Sequence, residues 1–233
     1  MSTQKPNETQ APEAAIEQAL GNTELFIQKH SKTMVIALLV IVLLVGGYFA
    51  YTNLYVAPRA QKASAAMFDA QAEFARDSFA VALNGNGVAL GFVDVIDQYS
   101  GTEQANLAQH YAGICCLKMG ELKNALDYFD KFDAQKEGIG EVLNAQNIGL
   151  MGDCYVEMGQ SDKGIECYMK AVKASNNVAT APLFLQKAAM VNLASGNAAA
   201  AIEQFQSIKA QYPTAIIARD IDKYIALAQQ QQK

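Results

Sequence analysis

Between Met34 and Tyr51 the chain reads MVIALLVIVLLVGGYFAY, with no charged side chain; the next charge after Lys32 is Arg59. A helix needs about 20 such residues to cross the hydrocarbon core of a bilayer. A helix this apolar on every face has no polar side to turn to water. The pattern therefore predicts a transmembrane helix over residues 34–56. Gly46 and Gly47 are tolerated there because lipid offers no competing backbone partners. Tyr48, Tyr51 and Tyr55 fall at the C-terminal end, where an aromatic belt belongs. A cleaved signal peptide fits less well, because a long polar stretch precedes the run and no A-x-A site follows it. Ala57 and Ala60, the nearest small pair, bracket Pro58.

Residues 1–33 form a polar head. MSTQKPNETQAPE has Pro6 and Pro12 and no apolar period, and reads as disordered. Ala14–Lys29 has the makings of a short helix, with Ile16, Leu20, Phe26 and Ile27. Lys29 and Lys32 lie against one edge of the span, and Arg59 and Lys62 lie beyond the other. The balance is nearly even and leans toward a cytoplasmic N-terminus.

Beyond the span, the polar and apolar positions repeat. GICCLKMGELKNALDYF (Gly113–Phe129), GDCYVEMGQSDKGIECY (Gly152–Tyr168) and AMVNLASGNAAAAIEQF (Ala189–Phe205) align as amphipathic helix, Gly turn, amphipathic helix. Their turn glycines are Gly120, Gly159 and Gly196. A period near 34–40 residues built of two helices and a Gly turn is the tetratricopeptide signature. Small residues let the paired helices approach, and an aromatic fills the gap between repeats. Pro182 suits a first helical turn, and Pro213 suits the stop after a second helix.

A degenerate earlier copy precedes these. Its first helix is expected over roughly Ala60–Leu83, followed by an Asn84-Gly85-Asn86-Gly87 turn. Its second helix, VALGFVDVIDQYSG, aligns Phe92, Val95 and Tyr99 with Phe205, Ile208 and Tyr212. Ile217, Ile221, Tyr224, Ile225 and Ala228 have helical spacing and should cap the open end. The predicted fold is all-α: a single transmembrane helix followed by a tetratricopeptide-type helical-hairpin solenoid with a C-terminal capping helix. The expected organisation is head 1–33, span 34–56, long helix plus degenerate repeat 57–103, three repeats 104–215, and cap and tail 216–233.

This order, together with the run GDCYVEMGQSDKGIECYMKAV, resembles the bacterial YfgM-type family of single-span tetratricopeptide proteins. The resemblance covers about residues 24–233. It implies an ancillary subunit of the Sec translocon, anchored in the bacterial inner membrane with its repeats in the periplasm. It also implies a partner in a membrane-anchored periplasmic chaperone of the prolyl-isomerase type. The chain departs from the pattern at Gly164, in a slot usually held by Ala. It also lacks Trp, and an insert at Lys136–Leu143 lengthens one spacing.

Composition narrows the chemistry. The 233 residues are 51% hydrophobic and 18% charged, with a net charge of −5. Phosphate neutralisation needs clustered Lys and Arg, so an acidic chain of this kind does not read as a nucleic-acid binder. Four Cys and two His are too few and too scattered for a zinc framework. Cys115, Cys116, Cys154 and Cys167 fall at small or apolar helix positions and read as buried hydrophobes. A Cys154–Cys167 disulfide is the sharper alternative in an oxidising compartment. Ser, Asp and His form no nucleophile motif. Gly85-x-Gly87-x3-Gly91 has no preceding strand and is not a dinucleotide loop. Asp127, Asp130 and Asp133 read as a solvated face. The chain is expected to be neither an enzyme nor a cofactor or small-molecule binder.

What remains is a surface for protein. In stacked helix pairs the first helix of each repeat lines the inner side. Spacing from the turn glycines points to Leu107, His110, Ile114 and Leu117 in the first good repeat. The second contributes Gln146, Asp153 and Val156, and the third Leu183, Gln186, Met190 and Leu193. Such a mostly apolar groove suits a partner helix or extended apolar segment. The expected function is a membrane-anchored scaffold or co-chaperone beside the translocon. An envelope-complex assembly adaptor and a cytoplasm-facing receptor of inverted topology are the alternatives.

Overall fold

The computed structural model describes residues 10–135 and 139–232, with side chains from Lys29 onward except that of Ile139. It divides into two units, residues 1–58 and 59–233. No strand occurs among the described residues.

In the first unit, helix α1 spans Gln10–Tyr51. The polar head is thus helical from Gln10 onward, where at most a short separate helix was expected; residues 1–9 lie outside the described residues. Every side chain from Ser31 to Tyr51 is exposed. This helix is long and apolar enough to cross a membrane. A π turn follows at Thr52–Val56, closed by Ala57 N–H donating to the Thr52 carbonyl. Pro58 explains it. Proline has no N–H to give and its ring collides with the carbonyl four residues back, so the ladder widens by one residue.

The second unit begins within α2 (Ala57–Phe74) and continues with α3 (Phe79–Asn84) and α4 (Phe92–Gln98). The single helix expected over Ala60–Leu83 is two helices. The chain turns at Arg76–Ser78, where Asp77 takes a positive φ of 59°. The break brings Phe79 back onto Phe74, with ring centroids 5.5 Å apart. Phe74 also meets Phe92 at 6.2 Å and Tyr111 at 5.2 Å, so four rings form one cluster. Phe92 is fully buried and the other three rings are half-buried, and the apolar area they remove from water favours the turn over a continuous helix.

Three helical hairpins follow: α5 (Glu103–Lys118) with α6 (Leu122–Asp130), α7 (Ile139–Glu157) with α8 (Ser161–Ala174), and α9 (Ala181–Ala194) with α10 (Ala198–Gln211). We call the first helix of each hairpin A and the second B. The described part of the sequence insert belongs to α7, where Ile139–Leu143 form its first turn. Thr102 caps α5, its Oγ1 accepting from Ala105 N–H at 3.2 Å.

All three A helices end in the same way. Gly120, Gly159 and Gly196 have φ of 77°, 74° and 81°. The glycine N–H bonds three residues back, and the next N–H bonds five back: Glu121 to Cys116, Gln160 to Tyr155, Asn197 to Asn192. This is the Schellman arrangement, which requires a left-handed residue.

Within each hairpin a small A-helix residue faces a B-helix ring. A Cβ on Gly113 would lie 2.5 Å from Phe129, and one on Gly152 would lie 2.7 Å from Tyr168. The third repeat has Ala189 and Phe205 at the equivalent positions, both buried. Opposite them Ala125, Gly164 and Ala201 are buried on the B helices. Gly164 departs from Ala for a local reason: its Cβ would fall 2.4 Å from Val156 Cγ2 and 3.1 Å from the Gly152 carbonyl.

The cores of the last two hairpins are joined. Met169 and Val172 of α8 pack against the cluster around Ala145, Tyr168 and Phe184, and also against the one around Ala189, Phe205 and Ile208. After α10 a 3-10 turn (Ile216–Asp220) leads into α11 (Ile221–Gln231). Helix α11 buries Ile221 and Ala228 and stacks Tyr224 on Phe205 at 5.5 Å. It thereby covers the last hairpin, as an end repeat must.

Candidate protein-binding face

Side-chain contacts join the A helices into a row. His110 of α5 meets Asn147 of α7 at 2.9 Å. A Cβ on Gly149 of α7 would fall 2.0 Å from the Phe184 ring of α9. Asp153 of α7 accepts two bonds from Lys187 Nζ of α9, both 2.7 Å.

On that row the residues singled out from the sequence divide into two groups. Leu107, Gln146 and Leu183 are equivalent, as are Ile114, Asp153 and Met190. These two rungs reach the surface: Gln146 is exposed, Leu183 and Met190 are 40% and 42% exposed, and Leu107, Ile114 and Asp153 are half-buried. Gln186 lies half-buried between the rungs.

The other rungs turn inward. His110 is 4% exposed and Leu193 is 6% exposed, so both belong to the core and not to an open groove. Val156 faces Gly164 inside its own hairpin. Leu117, its equivalent, is half-buried against the first core cluster. The reason is helical geometry: positions 117, 156 and 193 sit next to the turn glycine, where the B helix doubles back across them.

His110 is held by a specific network. Asn147 Nδ2 donates to the Phe129 carbonyl at 2.8 Å, which leaves Asn147 Oδ1 to accept from His110 Nδ1–H. That bond calls for the proton on Nδ1 of the imidazole. The Phe129 and Phe132 rings flank it at 6.0 and 5.7 Å. Burial lowers its pKa from the usual 6.5, with Asn147 opposing the shift.

The polar centre of the face is Asp153. Besides Lys187, it accepts a 2.6 Å bond from Tyr168 Oη. The Lys187 ammonium also lies 5.7 Å from the Tyr168 ring centroid. Burial first, and the Asp153 carboxylate second, push the Tyr168 phenol up and keep it protonated as a donor. Lys187 was not legible as part of this site. It lies 34 residues from Asp153, and only the repeat-to-repeat offset could have paired them.

All four cysteines are free and buried, so no Cys154–Cys167 bridge is present. Burial pushes Cys115 and Cys154 up to about 12 and Cys116 to about 11, and raises Cys167 as well. Thiols in that state are poor nucleophiles. No cluster of metal-ligating side chains occurs among the described residues.

Two stretches match family models for the tetratricopeptide repeat, residues 145–178 and residues 185–215. They cover the second and third hairpins. The chain carries tetratricopeptide repeats. Such repeats are scaffolds for binding other proteins, and the α5–α6 hairpin extends the same architecture toward the N-terminus. No curated protein matches the chain.

Proposed function

We propose that this chain is a membrane-anchored tetratricopeptide scaffold or co-chaperone ancillary to the Sec translocon. Its span holds the repeats at the periplasmic face of the bacterial inner membrane. There they bind partner proteins: translocon subunits and a membrane-anchored prolyl-isomerase-type chaperone. The observation that carries a binding role is the A-helix face. Leu183 and Met190, two large apolar side chains seven residues apart on α9, remain 40% and 42% exposed on it. A tether close to emerging chains raises their effective concentration at this face without added contacts.

The thiols are compatible with a periplasmic location. Four free cysteines would suggest a reducing compartment if they were accessible. Here each is buried and poorly ionised, so an oxidising compartment leaves them alone.

In-cell crosslinking, mild-detergent purification and mass identification test the reading. Near-stoichiometric recovery of translocon subunits and the chaperone is expected. Recovery of a different envelope complex without translocon overturns it in favour of an assembly adaptor. Protease protection separates the topologies. Repeats digested in spheroplasts are expected, and repeats digested only in inverted vesicles would establish a cytoplasmic receptor.

A further inference from the structure

The A-helix face is nearly free of charge. The three equivalent segments 107–114, 146–153 and 183–190 together span the exposed rungs. His110 aside, they contain two residues with charged side chains, of opposite sign, Asp153 and Lys187. These two are bonded to each other, both carboxylate oxygens lying 2.7 Å from the ammonium, and Tyr168 Oη takes up a remaining lone pair of Asp153. The formal charges of these two residues therefore cancel within the face. The same segments expose Leu183, Met190 and Gln146 and leave Leu107, Ile114, Leu150 and Gln186 half-buried.

The spacing sets the shape of an occupant. Packed helices lie about 8–10 Å apart, so equivalent rungs on successive A helices recur at about that interval. A helix laid across them advances about 10.5 Å in seven residues. Side chains one heptad apart would meet Ile114, Asp153 and Met190 in turn.

We propose, resting on the protein-binding reading above, that this face takes an uncharged apolar helical segment of a partner protein, and that Lys187 sets this selectivity by covering the Asp153 carboxylate. Ile114 and Met190 take the outer apolar side chains of the segment. The middle side chain lies over the closed Asp153–Lys187 pair, where a charged group finds no partner and loses its hydration. Without Lys187, Asp153 presents an open carboxylate at the centre of an apolar groove, and a cationic middle side chain becomes the preferred one. Lys187 acts through Asp153 and is a specificity-determining residue.

The test uses the full chain in nanodiscs of zwitterionic phospholipid, with empty nanodiscs as the blank. Three fluorescent 15-residue helical peptides carry Leu at positions 1 and 15 and Leu, Lys or Asp at position 8. Fluorescence anisotropy reads their binding. The wild type is expected to bind the Leu peptide at least tenfold tighter than either charged peptide. Lys187→Gln should raise affinity for the Lys peptide above that for the Leu peptide. Lys187→Arg should retain the wild-type order. Asp153→Asn, which uncovers the ammonium, should shift preference toward the Asp peptide and keeps the proposal testable if Lys187→Gln does not fold. Met190→Glu should weaken the Leu peptide at least tenfold with an unchanged helical spectrum.

An unchanged order of peptides in folded Lys187→Gln and Asp153→Asn overturns the selectivity and leaves the scaffold reading standing. A wild type that binds no peptide, or binds the charged ones equally well, overturns this inference. The scaffold reading itself fails only if the in-cell crosslinking also recovers no translocon partner.

Discussion

Gly152 and Tyr168 are fitted so closely that a methyl group cannot enter between them: a Cβ on Gly152 would lie 2.7 Å from the Tyr168 ring and 3.1 Å from the Gly164 carbonyl. The backbone carbonyl cannot yield as a flexible side chain can. Overpacking of this kind costs about 1–3 kcal/mol. Gly152→Ala should therefore lower the melting temperature by about 2–4 °C per kcal/mol lost, as followed by circular dichroism. Tyr168→Leu in the same chain should recover part of the loss by removing the ring. An unchanged melting temperature for Gly152→Ala would show that the α7–α8 hairpin packs more loosely than this.

The buried imidazole of His110 makes stability depend on pH in one direction. Its folded pKa is lowered from 6.5, mainly by burial. Below 6.5 the unfolded chain takes up a proton that the folded chain resists, so unfolding gains as pH falls from 6.5 toward the folded pKa. Above 6.5 both states are neutral and nothing is lost. Between pH 7.5 and 5.5, above the usual carboxylate range, the wild type should melt progressively earlier. His110→Gln retains an amide donor for Asn147 Oδ1 and should flatten that slope. Equal slopes in the two proteins would remove His110 as its source.

The uneven legibility of these features has a physical basis. The apolar run is written in consecutive residues, and the turn glycines, Gly120, Gly159 and Gly196, mark a backbone conformation that few other residues adopt. Both could be found by local inspection. The break at Arg76–Ser78 could not, because no Gly or Pro marks it. It arises from Phe74, Phe79, Phe92 and Tyr111 gathering in space, which overrides a sequence that reads as one helix. The burial of His110 depends on Asn147, 37 residues on, and the pairing of Asp153 depends on Lys187, 34 residues on. A helical period tells which side chains share a face. It does not tell which shared faces a neighbouring repeat will cover, and that is why His110 and Leu193 were expected in the groove.

The thiols give a chemical reading of core integrity. Cys115 and Cys154 are pushed up to about 12 and Cys116 to about 11, with burial the leading cause in each. At pH 8 only a very small fraction of each is thiolate, and each is also shielded from reagent. Iodoacetamide should leave the native protein unmodified on a timescale of minutes. In guanidinium chloride without reductant all four should be alkylated, as read by intact mass. Two adducts without reductant and four with it would establish a disulfide instead.

The segment after α6 is held by two asparagines acting as surrogate peptide groups. Asn106 Oδ1 accepts from Asp133 N–H at 2.7 Å while its Nδ2 donates to the Asp133 carbonyl at 2.8 Å. Asn144 treats Gln135 in the same way, at 2.8 and 2.7 Å. Removing either side chain leaves a backbone donor and acceptor to find water, at a net cost of about 0.5–1.5 kcal/mol per bond. Asn106→Ala should therefore accelerate amide hydrogen exchange at Asp133 while sparing Gln135, and Asn144→Ala should do the reverse. Asn144→Asp keeps the acceptor and loses the donor, so it should preserve protection of the Gln135 amide better than alanine does. Equal exchange in the Asp and Ala variants would mean that the Oδ1 bond is not what protects it.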